Sequence, residues 1–134
     1  GYICHKTGPG HSDFSTPEPV YLESSDRIRW QKPVCVLTNR SSYSATNDFV
    51  KIMRILPLVT IVGDRTGGGS GLPFSSELPN GWSVRFSACP SFDVDMQHVE
   101  FGIDPDVKID MADEDRARSV DTIIERARSI LANS

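Results

Sequence analysis

The stretch "PVCVLTNRSSYSATNDFVKIMRILPLVTIVG", residues 33–63, decides the fold of this chain. It opens with a nearly continuous apolar run rich in β-branched residues, which is typical of a strand buried on both faces of a sheet. Residues 58–63 repeat that pattern. Between the two runs, apolar residues recur at helical spacing up to Pro57, which ends the helix: Ala45, Phe49, Ile52, Met53 and Leu56. The stretch therefore predicts a strand–helix–strand unit, normally a parallel crossover with functional groups at the carboxyl ends of its strands.

The segments around this unit predict an α/β protein. Upstream, residues 7–19 are rich in Gly, Pro, Ser and Thr, which favours a loop, and "VYLES" at 20–24 predicts a short strand. Downstream, Asn80-Gly81 lies between two apolar arms and strongly indicates a β-hairpin. Its second arm alternates apolar and polar residues, which predicts a buried face made of Trp82, Val84, Phe86 and Ala88.

A final helix is predicted over about residues 114–132. Acids stand in its first turn and arginines near its end, which suits the helix dipole. Its apolar stripe is formed by Val120, Ile123, Ile124, Ala127 and Leu131. We expect three parts, namely 1–32 as loop and edge strand, 33–110 as the core, and 111–134 as the C-terminal helix.

Composition and charge narrow the possible functions. The chain has 38% hydrophobic and 24% charged residues, as a globular domain does. A net charge of −4 without a dense basic cluster argues against nucleic-acid binding. No apolar run approaches the roughly 20 residues needed to cross a bilayer. The first residues, "GYICHKTGPG", have neither the charged start nor the apolar stretch of a signal peptide. The chain does not begin with Met, so we expect it to be a segment of a longer protein.

No motif predicts a metal or a cofactor. Three widely spaced cysteines, Cys4, Cys35 and Cys89, fit neither a disulfide framework nor a metal site, and Cys35 is expected to be a buried thiol. The acids of "DVDMQHVE" resemble a calcium loop, but His98 stands where an EF-hand needs glycine. We interpret that segment as a solvated loop. "GDRTGGGSG" lacks the Lys-Ser/Thr ending of a nucleotide-binding P-loop.

Three serines in "SSYSATN", residues 41–47, stand between the first strand and the helix. A serine here can cap the helix by accepting a free backbone N–H, or act as a nucleophile where free N–H groups stabilise an oxyanion. Three serines exceed what one cap needs, so Ser41 or Ser42 could cap while Ser44 stays free. The glycines of the G-x-S-x-G elbow are missing. These residues alone leave both interpretations open.

Taken in order, four motifs resemble one known family. "VLTNRSSYSATNDF", "VTIVGDRTGGGSG", "LPNGWSVRFSA" and "FGIDPDVKID" are similar to the C-terminal processing (tail-specific) and tricorn-core serine peptidases, most closely their Bacteroidetes-type branch. The resemblance covers about residues 33–110. It implies a crotonase/ClpP-like α/β core, present here as the C-terminal portion of the catalytic domain. It also implies a polypeptide substrate and no cofactor.

The resemblance assigns roles to individual residues. Ser44 matches the family nucleophile, and the Ala45 N–H would form one half of the oxyanion hole. Gly67, Gly68 and Gly69 would let their loop pass close to an extended substrate. These assignments favour the nucleophile over the helix cap.

One position departs from the processing-peptidase branch. There a lysine in the glycine-rich loop acts as the base, whereas Gly69 stands at that position here. Lys51 cannot replace it directly, because seven residues of intact helix separate it from Ser44 by about 10 Å of rise. The tricorn-type branch uses a histidine that would lie upstream of this chain, and a glutamate orients that histidine through a second serine. Glu100 is the best match for the glutamate.

Two rival functions remain. The same fold occurs in ligand- or peptide-binding modules without activity, and the same serine could hydrolyse small esters or amides. A histidine and an oxyanion glycine upstream would favour an enzyme. A homo-oligomer is expected as one way to cover apolar surface. A location in the bacterial cell envelope or outside the cell is implied by the family resemblance alone.

Overall fold

The computed structural model describes residues 1–134 and is built from short strands and three α-helices. The strands are β1 (Tyr2–Ile3), β2 (Glu18–Pro19), β3 (Val34–Thr38), β4 (Val59–Gly63), β5 (Phe74–Glu77), β6 (Ser83–Phe86), β7 (Ser91–Phe92) and β8 (Val107–Lys108). The helices are α1 (Ala45–Met53), α2 (Asp113–Ala117) and α3 (Thr122–Ala132), with a 3-10 turn at Val99–Phe101. None of the helices is long and apolar enough to cross a membrane.

A parallel sheet in the order β3-β4-β8 organises the chain. Strands β3 and β4 pair from Val34 with Val59 to Thr38 with Gly63, and α1 connects them. The predicted strand–helix–strand unit is therefore confirmed. The small core lies between this sheet, α1 and the 3-10 turn, and is formed by Val50, Ile61, Val99 and Ile103.

The buried face of α1 differs from the predicted apolar face. Its buried residues are Asn47 and Val50, whereas Phe49 is half exposed. The hydrophobic pattern misleads here because a polar residue, Asn47, faces inward and satisfies its amide with hydrogen bonds. Strand β3 is also less enclosed than expected, since Leu37 is exposed on one face.

The β-hairpin forms as predicted, but its expected buried face is wrong. Strands β5 and β6 pair antiparallel, and the turn has Gly81 at φ 83°. The face that carries Phe86 and Trp82 lies in solvent, with Trp82 71% exposed. Phe74 packs against Phe86, with 4.2 Å between the ring centroids. Alternation showed that one face is apolar, but not that another element packs on it.

The predicted C-terminal helix is two helices. Ser119, at φ 57°, interrupts it, and α3 then starts with Asp121 as N-cap. The Asp121 carboxylate accepts the N–H groups of Ile123 and Ile124 at 2.9 and 3.0 Å. Such a cap satisfies two amides that would otherwise be free, so it stabilises a new helix start. Helix α3 packs on β3 and β4, with Ala127 buried.

The N-terminal segment forms a second, antiparallel sheet in the order β2-β1-β7. The strand predicted at 20–24 is wrong by position, because β2 ends at Pro19.

Cys35 is only half buried, although desolvation raises the pKa of its thiol, and Cys4 is the buried cysteine instead. The loop at 93–97 is tied by the Asp93 carboxylate to the amides of Asp95 and Gln97. The division at residues 32 and 110 stays a prediction.

Candidate active site

Ser44 stands at the turn from strand to helix with its hydroxyl free. It is the N-cap of α1 by position, yet it makes no side-chain cap hydrogen bond. Its backbone has φ 58° and ψ −121°, a conformation that non-glycine residues rarely adopt. Its N–H donates to the Gly68 carbonyl at 2.7 Å. An exposed hydroxyl on a strained turn before a helix has the geometry of a nucleophile elbow.

The neighbouring serines do not cap α1 either, so that part of the prediction is wrong. The Ser42 hydroxyl is buried and accepts the N–H of Asn39 at 3.1 Å, which closes the turn before the helix. The N–H of Ser41 donates to the Asn39 side chain at 2.8 Å. These bonds shape the turn that carries Ser44 and leave the first amides of α1 without a side-chain acceptor.

The N–H of Ala45 is free. Ala45 is the first residue of α1, so no earlier carbonyl of the helix can accept its N–H. No other acceptor for this group occurs among the hydrogen bonds of the chain, and the residue is exposed. A free N–H directly after the serine, at the positive end of a helix, is suited to hold a developing oxyanion.

The glycine-rich loop binds to the nucleophile turn on one side and to the 3-10 turn on the other. The Gly67 N–H donates to the Ser42 carbonyl, and the Gly69 N–H to the Glu100 carbonyl, both at 2.9 Å. A Cβ on Gly68 would lie 1.9 Å from the carbonyl oxygen of Glu100. At Gly67 and Gly68 the glycines therefore allow close approach within the chain itself. Only Gly69 of the three lines the cleft beside Ser44.

Gly69, which the family resemblance places at the position of the lysine base, has no room for a side chain in the structure. Its φ is +77°, and a Cβ would lie 2.2 Å from Cζ of Tyr43. Any larger residue would need Tyr43 to move. Lys51 points to another partner, since its ammonium group donates to the Ser91 hydroxyl at 2.6 Å and pairs with Asp48 at 3.0 Å. Neither position supplies a base for Ser44.

A buried polar network beneath Ser44 joins α1 to the glycine-rich loop. The Asn47 amide donates to Ser70 at 2.7 Å and to the Val99 carbonyl at 3.0 Å. The Thr66 hydroxyl donates to the side-chain oxygen Oδ1 of Asn47 at 2.5 Å and accepts the N–H of Ile103 at 2.7 Å. Both Asn47 and Thr66 have no exposed surface.

The sequence alone does not reveal this network. A polar side chain within a helix shows from sequence only that it is polar, and its orientation decides whether it is buried. The position of Asn47, three residues after Ser44, was the available sequence feature.

Glu100 lies close to the same cleft through Ser87. The Ser87 hydroxyl donates to Oε1 of Glu100 at 2.9 Å. Ser87 and Ser44 both line an open cleft of about 250 Å³, together with Tyr43, Gly69, Pro73, Arg85 and Phe86. A larger apolar cavity of about 470 Å³ lies against Lys51 and Ile52, and Ser44 does not line it.

The loop before Ser44 is also tied to the end of β4. The Arg40 guanidinium lies 2.9 Å from the carboxylate of Asp64, the residue after β4. The backbone N–H of Arg65 and the Arg40 side chain lower the pKa of Asp64. The carboxylate therefore stays charged at neutral pH and keeps this contact. No group of three or more His, Cys, Asp or Glu side chains is arranged to hold a metal ion.

Comparison with known proteins identifies the family. A sequence model of peptidase family S41 matches residues 6–109, which is more than half of the chain. The chain belongs to peptidase family S41. The resemblance drawn from the four motifs is therefore confirmed, and the α/β fold agrees with it.

Solved structures share the S41 fold. A crystal structure from Parabacteroides merdae ATCC 43184 matches with a TM-score of 0.94 and 67% identity, over 98% of this S41 chain and 42% of its own length. Mature CPAF complexed with lactacystin matches with a TM-score of 0.74 and 21% identity, over 88% of this chain and 24% of its own. The tricorn protease matches with a TM-score of 0.64 and 24% identity, over 99% of this chain and 12% of its own. The last two likenesses concern the fold alone.

Among curated sequences, an uncharacterized protein of Chlamydia muridarum is 25% identical over 138 residues, which is 96% of this S41 chain and 23% of that protein. A Chlamydia trachomatis protein is 26% identical over 108 residues, or 75% of this chain and 18% of its own length. The chain thus spans less than half of each relative. It corresponds to one part of an S41 protein.

Proposed function

We propose that the protein containing this chain is a serine peptidase that cleaves peptide bonds through a serine acyl-enzyme, with Ser44 as the nucleophile. The observation that carries the proposal is the strained turn at Ser44, with its free hydroxyl and the free Ala45 N–H beside it. A hydroxyl used only as a cap would accept a helix amide and would not need φ 58°. Membership of the S41 peptidase family agrees with this role.

The proposed reaction is acyl transfer in two steps. Ser44 Oγ attacks the carbonyl carbon of the peptide, while a histidine outside these residues takes the hydroxyl proton. The Ala45 N–H donates to the oxyanion. The histidine then protonates the leaving amine, and the amine departs as the C–N bond breaks. Water attacks the ester by the same route, which releases the acid and restores Ser44.

Glu100 is proposed as the acid that orients the histidine. Its carboxylate is held by the Ser87 hydroxyl, which lines the Ser44 cleft, so a charge at Glu100 would act close to the reacting groups. A carboxylate near an imidazole stabilises the imidazolium that forms when the base accepts a proton. The proposed substrate is an extended polypeptide that passes Gly69, and the roles of Gly67 and Gly68 would be to shape this loop.

A fluorophosphonate probe tests the nucleophile, because it reacts covalently only with activated serines. We expect the full-length protein to be labelled and the Ser44→Ala variant not to be. Ser41→Ala is the matched control, since Ser41 is an exposed serine of the same turn, and it should label normally. Full labelling of Ser44→Ala would refute the proposal.

The isolated 134-residue chain is expected to be nearly inactive, because it carries the nucleophile without its base. Hydrolysis by this segment that disappears with Ser44→Ala would show that the base lies within it. The alternative function is a ligand- or peptide-binding module. It becomes the better proposal if the folded full-length protein binds peptides but neither labels with the probe nor cleaves them.

A further inference from the structure

The cleft beside Ser44 contains one charged side chain, and this observation extends the proposed function to the substrate. Of the seven residues that line the cleft of about 250 Å³, only Arg85 carries a charge. The other six are uncharged, namely Tyr43, Ser44, Gly69, Pro73, Phe86 and Ser87. A cleft of this size accommodates one or two side chains of a peptide next to the bond that Ser44 attacks.

The strand register explains why Arg85 faces the same side as Ser87. Side chains alternate along β6, so Arg85 shares its face with Ser83 and Ser87, while Phe86 turns to the other face and contacts Phe74. Ser75 lies directly opposite Arg85 on β5. Arg85 and Ser87, both from this polar face, line the cleft that contains Ser44, and Arg85 supplies its positive charge.

Arg85 has no partner within the chain. The basic residue in each of the five salt bridges is a residue other than Arg85. No carboxylate lies within 4 Å of the Arg85 guanidinium. Glu77, on the neighbouring strand and the same face, is also unpaired with it. Glu100 accepts a hydrogen bond from the hydroxyl of Ser87, a residue of the cleft, and makes no ion pair with Arg85. The guanidinium therefore keeps its donors free for a ligand.

We propose that this cleft binds a carboxylate of the substrate and that Arg85 is the residue that selects it. A planar guanidinium binds a carboxylate through two parallel N–H···O bonds, a geometry that neutral side chains do not match. The carboxylate would lie within one or two residues of the scissile bond. It can come from an Asp or Glu side chain or from the free C-terminus of the peptide. The inference rests on the proposed peptidase function of Ser44.

Paired peptides test this selection in the full-length protein. One pair has Glu or Gln at each position next to the scissile bond, and a second pair ends in a free acid or an amide. We expect the acidic member of one pair to be cleaved with a kcat/KM about 10- to 100-fold higher, as for a charge-assisted hydrogen bond. Arg85→Gln should remove this preference, and Arg85→Glu should reverse it toward Lys peptides. The pair that responds identifies the source of the carboxylate.

Arg54→Gln is the matched control, because Arg54 is an exposed arginine at the end of α1 without an ion pair. It should leave the preference unchanged. Arg85 is itself exposed, so its variants should melt within a few degrees of the parent protein. Equal cleavage of the acidic and neutral peptides, or an Arg85→Gln variant that keeps the preference, would overturn the inference.

Binding separates this inference from the proposed function. Fluorescence anisotropy with labelled peptides on the Ser44→Ala variant measures binding affinity without turnover. In the double variant that also carries Arg85→Gln, the affinity for acidic peptides should fall about 10-fold or more. If Arg85-dependent binding occurs but the parent protein cleaves nothing, the peptidase proposal fails and the carboxylate site stands. If Ser44-dependent cleavage occurs but neither cleavage nor binding differs between acidic and neutral peptides, the peptidase proposal stands and the carboxylate site fails.

Discussion

The backbone N–H of Ser44 donates to the carbonyl oxygen of Gly68 at 2.7 Å, while Ser44 itself keeps a left-handed backbone at φ 58°. Such a conformation costs a serine on the order of 1–3 kcal/mol, and glycine adopts it without a Cβ penalty. We therefore expect Ser44→Gly to be more stable than Ser44→Ala by about 1 kcal/mol, although both lack the hydroxyl. Urea unfolding of the two variants measures the difference. Equal stability would mean that the turn stores no strain.

Gly68 is expected to be intolerant of any side chain. Gly68 and Gly81 have nearly the same φ, +81° and +83°, but a Cβ on Gly68 would lie 1.9 Å from the Glu100 carbonyl oxygen and one on Gly81 would meet nothing within 4 Å. Gly81→Ala should cost about 1 kcal/mol from backbone strain alone. Gly68→Ala should cost about 3 kcal/mol or more, because backbone must move. Chemical denaturation of the pair checks this, and similar losses would contradict it.

Asn47→Leu is expected to lower the free energy of unfolding by about 2–4 kcal/mol, since it leaves the buried Thr66 O–H without its acceptor and the buried Ser70 hydroxyl without the amide that donates to it. Asn80→Ala is the control, because Asn80 is an exposed turn residue that accepts one amide. It should cost less than about 1 kcal/mol. A loss at Asn47 no larger than at Asn80 would show that the network contributes little.

Glu100→Gln is expected to lower kcat about 10-fold or more in the full-length protein with little change in KM, if Glu100 orients the catalytic histidine. Ser87→Ala should give a smaller decrease, because it removes only the hydroxyl that holds Glu100. Ser83→Ala, on the same face of the hairpin, serves as the matched control and should be neutral. Unchanged kcat in Glu100→Gln would remove this residue from the mechanism.

Asp115 is expected to make stability depend on pH below about 4. The Thr122 hydroxyl and the Arg118 guanidinium lower the pKa of Asp115 in the folded protein. A group with a lowered folded pKa contributes stability above its unfolded pKa of about 3.9 and loses it as the pH falls through the folded value. Asp115→Asn should therefore be less stable at pH 7, and the deficit should shrink toward pH 2. Thermal melts across this range test it, and a constant deficit would contradict it.

The sequence correctly predicted the strands and helices whose hydrophobic pattern follows directly from how they pack. The parallel strands and α1 followed from apolar runs, although α1 ends at Met53, before Leu56 and Pro57, and the hairpin followed from Asn80-Gly81. The face of α1 did not, because Asn47 is buried through hydrogen bonds and hydrophobicity cannot detect that. The exposed aromatic face at Trp82 was also missed, since alternation does not reveal whether another element covers a strand.

The site was predicted in part. Family resemblance selected Ser44 and Glu100, and the structure brings the Glu100 partner Ser87 into the Ser44 cleft, while the role of each residue stays a prediction. The strained backbone at Ser44 could not be predicted, because the position is not occupied by a glycine, the residue that normally indicates a positive φ. From the sequence, Arg85 is only one of the polar residues that alternate with apolar ones in the second arm of the hairpin. Its position in the cleft depends on how the hairpin folds against the glycine-rich loop, which is a tertiary feature.

The glycine-rich loop is bonded on both sides, and this predicts how the site opens. The amides of Ser44, Gly67 and Gly69 donate across the two contacts, and Thr66 donates to the Ile103 carbonyl at 3.0 Å. None of these amides can exchange with solvent deuterium without separating two segments of chain. Hydrogen exchange should therefore report one common opening free energy for all four. The site would exist fully assembled or not at all, with no half-formed state in which Ser44 keeps its conformation after the loop has left.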